Sequence, residues 1–238
     1  MTTTMYDYSQ FNDFNRFVNL DGVESKIIGH LLTSTSKYAD LFWKILKYDT
    51  KDALSRPSLS LAEKTALVSG SADNPEGGIT ENTRLFLSPF VDDAWTKQSS
   101  SVYIFVNDIY PIDHTRASVS VTVETVVHAR INTVYGDADV LANPDTNPND
   151  YFYKDGDTPS VPYKSRATVL LKCILAELNG LYIDGVGYLQ FNTDKLLDGL
   201  QVRGRASLSL FNGRSFFGHS VNFNLSISGV SDSDEVGF

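Results

Sequence analysis

The feature that most constrains the fold is a strict alternation of apolar and polar side chains in two separate stretches. Residues 221–228 alternate apolar side chains with Asn and Ser, and residues 118–124 alternate Val with Ser, Thr and Glu. Successive side chains of a β-strand point to opposite faces, so each stretch predicts a strand with one buried and one polar face. Shorter apolar runs at 84–87 and 102–106 predict two more strands.

Helical periodicity appears before these strands. Apolar residues recur at helical spacing over 23–32, and residues 33–36 then interrupt the pattern. Ser36 is a suitable N-cap for a second helix that runs to about Tyr48. One bent helix over the same residues is an alternative interpretation.

Two further helices are predicted from their caps. Ser60 and Glu63 have the spacing of a capping box, so a short helix should run to about residue 68. Ser165 is a suitable N-cap for a longer helix whose apolar face we expect to lie on the sheet. Gly180 fits the C-terminal cap of that helix.

The order of predicted elements is helices, about three strands, a helix and about three more strands. This order predicts an α+β fold, with a mainly antiparallel sheet, a packed helix and an N-terminal helical region. A glycine-interrupted strand is expected at 183–191. A hairpin is expected from 208 onward, because Asn212 and Gly213 favour a type I′ turn.

The chain divides into three parts by its patterns. Residues 1–80 form an N-terminal helical segment with an aromatic arm, and residues 81–230 form the α+β sheet core. Residues 231–238 are a flexible acidic tail. Within the core, residues 136–162 are rich in Pro, Asn and Asp and predict a long loop, and loops of that length are usually functional or disordered.

Composition narrows the classes of protein and partner. The 238 residues can bury one sizeable core or two small ones. We expect a soluble protein with no membrane contact, because no apolar run approaches the roughly 20 residues that a spanning helix needs. A net charge of −9 argues against specific nucleic-acid binding, which relies on clustered Lys and Arg. An acidic wall does suit a conduit through which DNA slides, because like charges prevent adhesion.

No residue pattern predicts catalysis, a cofactor or a metal centre. The four His residues lack metal-ligand spacing, and the single Cys173 lies on the apolar side of a predicted helix, as a buried small hydrophobe does. Acidic pairs at 137–139 and 155–157 lack the twelve-residue calcium pattern. We therefore predict that the chain is not an enzyme. A hydrolase built from dispersed carboxylates stays an alternative, because its two acidic groups can lie anywhere in a chain.

Two aromatic runs are candidates for contacts with other subunits or partners. The N-terminal run favours docking on a partner or on the core of the same subunit, and a short N-terminal helix packed on its own domain is an equal alternative. The second run lies in the predicted long loop. The candidate contact residues are Tyr6, Tyr8, Phe11, Phe14, Phe17, Tyr151, Phe152 and Tyr153.

A third aromatic cluster surrounds the predicted hairpin turn. If it lined a ligand groove, the chain would be a β-rich carbohydrate- or ligand-binding module. Core packing beside the hairpin is the simpler interpretation. The groove candidates are Phe211, Phe216, Phe217 and His219.

Three passages of the chain carry hydrophobic packing patterns without any chemical motif. They are LLTSTSKYADL at 31–41, RLFLSPFV at 84–91 leading to VYIFV at 102–106, and the helix–strand unit at 165–187. In these passages the chain resembles head-to-tail connector proteins of tailed bacteriophages. Tail terminators of that group are α+β proteins that form rings, often hexameric, on the tail tube. Stopper proteins form the adjoining ring that retains packaged DNA.

The resemblance implies a structural protein of the phage neck, assembled in the host cytoplasm and located in the virion. A helix between two groups of strands is more similar to a terminator, whereas a small barrel would suit a stopper. The implied partners are further copies of the chain in a hexameric ring and the neighbouring neck and tail-tube proteins. Packaged DNA would pass through the ring without specific binding.

Overall fold

The architecture comes from a computed structural model, which describes residues 22–69, 81–87, 98–111, 116–135, 153–155, 158–160, 163–184, 187–191 and 216–228. Within these residues the fold is α+β, with helices at the N-terminal end and a mainly antiparallel sheet, which confirms the predicted fold class. The α-helices are α1 Val23–Thr33, α2 Lys37–Lys47, α3 Leu61–Thr65 and α4 Arg166–Leu178, and short 3-10 helices lie at Ala53–Ser55 and Ala129–Ile131.

The main sheet has the strand order β1-β2-β3-β11-β10. Its pairings are antiparallel except between β1 and β2, which are parallel. The pairs β4–β7, β5–β6 and β8–β9 form separate two-stranded ribbons. The strands are β1 Leu85–Phe86, β2 Ser100–Pro111, β3 Arg116–His128, β4 Thr133–Tyr135, β5 Tyr153–Asp155, β6 Thr158–Ser160, β7 Tyr163–Ser165, β8 Tyr182–Ile183, β9 Gly187–Tyr188, β10 Gln190–Phe191 and β11 Phe216–Ser228.

The two alternating stretches form the centre of the sheet. Strand β11 pairs with β3 along its whole length, and this register places apolar residues opposite one another. Burial of each such Val, Leu or Phe side chain stabilises the fold by about 1.5–3 kcal/mol relative to exposure. The buried cross-strand pairs are Val221 with Val123, Phe223 with Val121, and Leu225 with Val119.

A bulge in β2 keeps the apolar face continuous. The register with β3 shifts between Val106 and Asp108, so that Asn107 is an extra residue. A one-residue insertion reverses which side chains face the core. It therefore turns Ile109, which pairs with Val119, toward the hydrophobic core. The sequence alternation did not predict this bulge.

Helices cover one face of the sheet. Helix α4 packs against β3, β11 and α2, which confirms that its apolar face lies on the sheet. Residues of α1, α2 and α4 share one hydrophobic cluster with the inner face of the sheet. In that cluster Trp43 is fully buried, and its indole N–H donates to the Leu31 carbonyl at 2.8 Å. This bond connects α2 to the C-terminal part of α1.

The predicted caps are confirmed. Ser36 Oγ accepts hydrogen bonds from two backbone amides in the first turn of α2, so α1 and α2 are separate helices. Ser60 and Glu63 form the capping box of α3. Ser165 caps α4, and Gly180 follows this helix with φ of +80°, a conformation that favours glycine.

Two predicted boundaries differ from the structure. Helix α3 ends at Thr65, because Val68 instead forms a parallel bridge with Leu85. The single strand predicted at 183–191 is divided, since β8 and β9 form a hairpin and only β10 joins the main sheet. Gly187 has φ of +106° at the start of β9, which departs from a straight strand.

The predicted long loop at 136–162 is also partly wrong. It contains the antiparallel ribbon of β5 and β6, in which Lys154 pairs with Pro159. Pro is tolerated there because a two-stranded ribbon has outward edges that need no backbone donor. The predicted turn at Asn212 and Gly213 lies outside the described residues, as do 1–21 and the tail at 231–238.

Candidate functional site

A buried guanidinium joins three segments of the chain. Arg166, at the start of α4, is fully buried and donates four hydrogen bonds of 2.7–2.9 Å to backbone carbonyls. Carbonyls in the last turn of a helix have no partner inside the helix, so Arg166 supplies donors to the end of α2. The four acceptors are the carbonyls of Ile45, Tyr48, Thr50 and Ile131.

Two further charges accompany this guanidinium. The Asp49 carboxylate lies 3.5 Å from the Arg84 guanidinium. Burial raises the pKa of Asp49, against the opposing effect of Arg84 and Arg166. Burial lowers the pKa of Arg166 to about 10, so this side chain still carries its charge at neutral pH. All four of its hydrogen bonds go to backbone carbonyls, which is the arrangement of a structural clamp.

A second polar cluster surrounds Glu177 on α4. Ser34 Oγ donates to its carboxylate at 2.9 Å, and Ser36 Oγ donates to the other carboxylate oxygen. His30 Nε2 lies 3.5 Å from the carboxylate oxygen that Ser34 contacts. The side chain of Glu177 is 5% exposed. Serine, histidine and an acid therefore meet at one place, which invites comparison with a hydrolase site.

The geometry of this cluster does not support nucleophilic catalysis. In a catalytic triad the histidine stands between the serine and the acid and takes the serine proton. Here Glu177 stands between Ser36 and His30. Ser36 Oγ also accepts from the amides of the α2 first turn, so its lone pairs are already engaged. The cluster fastens the link between α1 and α2 to α4.

We predict that Ser36→Ala lowers the free energy of unfolding by about 2 kcal/mol. Loss of an N-cap costs about 1 kcal/mol, and a buried carboxylate that loses a donor adds a comparable amount. Urea unfolding followed by circular dichroism measures the change. Ser60→Ala is the control, because Ser60 also caps a helix but its partner Glu63 is exposed. Equal losses for both variants would contradict the coupling to Glu177.

In the described part of the chain, the single thiol is buried and no cluster of metal ligands is present. Cys173 is 1% exposed, and burial, with a smaller contribution from the charge of Glu177, raises its thiol pKa to about 12. This thiol stays protonated and packs as a small hydrophobe, as the sequence predicted. Among the described residues, no three His, Cys, Asp or Glu side chains are grouped as metal ligands.

Most of the predicted contact residues lie outside the part of the chain that the structure describes. The five aromatic residues of the N-terminal arm, together with Tyr151 and Phe152, are not among the described residues, and Tyr153 is described only as the first residue of β5. Their role in subunit contacts stays a prediction.

The predicted ligand groove is only partly described. Phe216 is buried in a cluster with Phe86, Tyr103 and Val126, and its ring contacts that of His128 edge-on at 5.1 Å. Phe217 is 47% exposed and follows Phe216 on the same strand, so the two rings point to opposite faces of β11. The structure does not bring them together on one surface. The backbone of His219 pairs with Thr125, and Phe211 lies outside the described residues.

Sequence reasoning missed an exposed aromatic pair. Tyr182 and Tyr188 face each other across the β8–β9 hairpin, with ring centroids 4.9 Å apart. They are 56% and 58% exposed. The single strand predicted at 183–191 treated its glycines as interruptions of one strand. The same glycines are also a hairpin signal, and that interpretation would have placed the two tyrosines opposite each other.

Comparison of the chain with protein-family models, curated proteins and solved structures gives no match. Of the described helices, none has the length and apolar character required to span a bilayer. The functional argument therefore rests on the sequence and on the geometry of the described residues.

Proposed function

We propose that the chain is a non-enzymatic structural protein of a phage virion, which forms a ring in the head–tail connector. The ring is hexameric and of the tail-terminator or stopper type. It joins the DNA-filled head to the tail and contacts neighbouring neck and tail-tube proteins. The proposal takes its family from the resemblance in the sequence, and the fold has the α+β class that this resemblance implies.

The observation that carries the proposal is the connection between the two central strands. Strands β3 and β11 are neighbours in the sheet, and α4 lies between them in the chain and packs on both. A helix placed between two groups of strands is what the resemblance implies for a terminator. Strand β11 pairs with β3 along its whole length. This continuous pairing gives each subunit a rigid sheet, which a closed ring that holds packaged DNA requires.

The polar clusters and the charge agree with this role. Arg166 and Glu177 are the most fully bonded buried charges of the described interior, and both connect elements of the fold. The chain has a net charge of −9. In this proposal, acidic side chains line part of the ring channel, and DNA moves along them without adhesion because like charges repel. DNA is therefore a passing cargo in this proposal.

The aromatic N-terminal arm is expected to join ring subunits. Removal of residues 1–20 should abolish ring assembly and leave the fold intact, because these residues precede α1 and its core contacts. Light scattering coupled to size exclusion measures the mass, and circular dichroism measures the fold. Removal of residues 231–238 is the control and should leave the mass unchanged. A protein without its arm that still assembles normally would count against this role.

A further inference from the structure

Among the described residues, a group of uncharged side chains lies on the outer face of the sheet beside β10. We define the edge patch as Tyr182, Tyr188, Gln190, Asn224 and Ser120. The register makes it continuous on the outer face: Gln190 pairs with Asn224 on β11, and Asn224 pairs with Ser120 on β3. Tyr188 lies two positions before Gln190 in an extended segment, so both point to the same side. The exposed residues Asp184 and Asp108 mark its borders.

The two tyrosines stand on a rigid base. Ile183 and Leu189, on the other side of the same hairpin, are buried in the core. The Leu189 amide donates to the Leu181 carbonyl at 2.8 Å, which extends the hairpin pairing. Gly187 lies so close to β11 that an added Cβ would be 2.7 Å from the Ser226 carbonyl oxygen. The hairpin therefore packs tightly against the main sheet, and little entropy would be lost when a partner binds its tyrosines.

The polar members of the edge patch have free hydrogen-bonding capacity. Within the described residues, the side chains of Gln190, Asn224 and Ser120 make no hydrogen bond to another part of the protein. By contrast, Thr122 and Asn222, one cross-strand pair further along, bond to each other at 2.9 Å. Tyrosines beside unengaged amides and hydroxyls are typical of surfaces that bind proteins.

We infer that the edge patch binds a second copy of this chain and forms one side of the contact between ring subunits. The inference rests on the proposed function and assigns the surface through which one ring subunit contacts the next. Two copies that each carry a charge of −9 repel each other, so they meet most favourably where their surfaces carry no charge. In a closed ring of more than two copies, the patch contacts a different surface of its neighbour.

The test compares the mass of the unmodified protein with that of the double variant Tyr182→Ser/Tyr188→Ser across concentration. The variant should need an about hundredfold higher concentration to assemble, because central tyrosines often dominate binding energy. Phe217→Ser is the matched control, because Phe217 is a similarly exposed aromatic residue on the inner side of β11, and it should assemble normally. Circular dichroism verifies that each variant is folded.

The outcomes separate this inference from the proposed function. If the unmodified protein and the double variant form rings equally well, the patch is not the contact and the inference is wrong, while the ring proposal stands. If the unmodified protein forms only dimers that the double variant disperses, the patch is a contact and the ring proposal fails. A variant that keeps its mass but loses retention on dextran in native gels would reassign the patch to glycan binding.

Discussion

Replacement of Arg166 by Met should destabilise the protein by about 3–5 kcal/mol, the range for breaking a buried charged network by removal of one partner. Met keeps the apolar stem but cannot donate, so four backbone carbonyls lose a donor together. Asp49 also loses a nearby positive charge. At 2–4 °C per kcal/mol for a chain of this size, Tm should fall by roughly 10 °C.

Lys172→Met is the matched control for this prediction. Lys172 lies on the exposed side of the same helix, so its replacement removes the same charge without any buried bond. We expect a change within about 0.5 kcal/mol, as for most surface substitutions. Thermal unfolding of both variants by circular dichroism provides the comparison. If Arg166→Met unfolded at the same temperature as Lys172→Met, the clamp at the end of α2 would not contribute to stability.

Replacement of Gly218 by Ala should cost about 3 kcal/mol or more, since the new methyl group has no space. A Cβ at this position would lie 1.9 Å from the Thr125 carbonyl oxygen on β3. Backbone atoms of a paired strand cannot move aside unless the ladder opens, and overpacking of this kind costs about 1–3 kcal/mol or more. Urea unfolding measures the loss. The register of β11 with β3 near Val126 depends on this glycine.

Gly29→Ala should have the opposite effect on stability, because Gly29 has open space around it. No atom would lie within 4 Å of a Cβ at Gly29, which is inside α1. Alanine favours a helix over glycine by about 1 kcal/mol, so this variant should be more stable than the unmodified protein. If Gly218→Ala were as stable as the unmodified protein, the close approach at Gly218 would be refuted. A loss of stability in Gly29→Ala would contradict the open space at Gly29.

Local patterns were sufficient to predict much of the fold. Ser36, Ser60 and Ser165 act on amides within three residues of themselves, so their caps are visible in sequence. The alternation at 221–228 identifies a half-buried strand because a strand repeats every two residues. In each case the cause and its effect are close together in the chain.

The candidate site was not predictable in the same way. Arg166 would ordinarily be assigned to the surface, and its acceptors between Ile45 and Thr50 are more than a hundred residues away. Glu177 likewise meets Ser34 and Ser36 only after folding. The bulge at Asn107 depends on which face of β2 the helices cover. These contacts are set by tertiary structure, so neither spacing nor composition indicates them.

The mass of the purified full chain across concentration, with negative-stain images of any large species, tests the central claim most directly. The account predicts a closed ring of about six copies, the hexameric state that the resemblance implies, of a 26.4 kDa chain. Images should show a central channel. A protein that remains a monomer at every concentration would contradict the account.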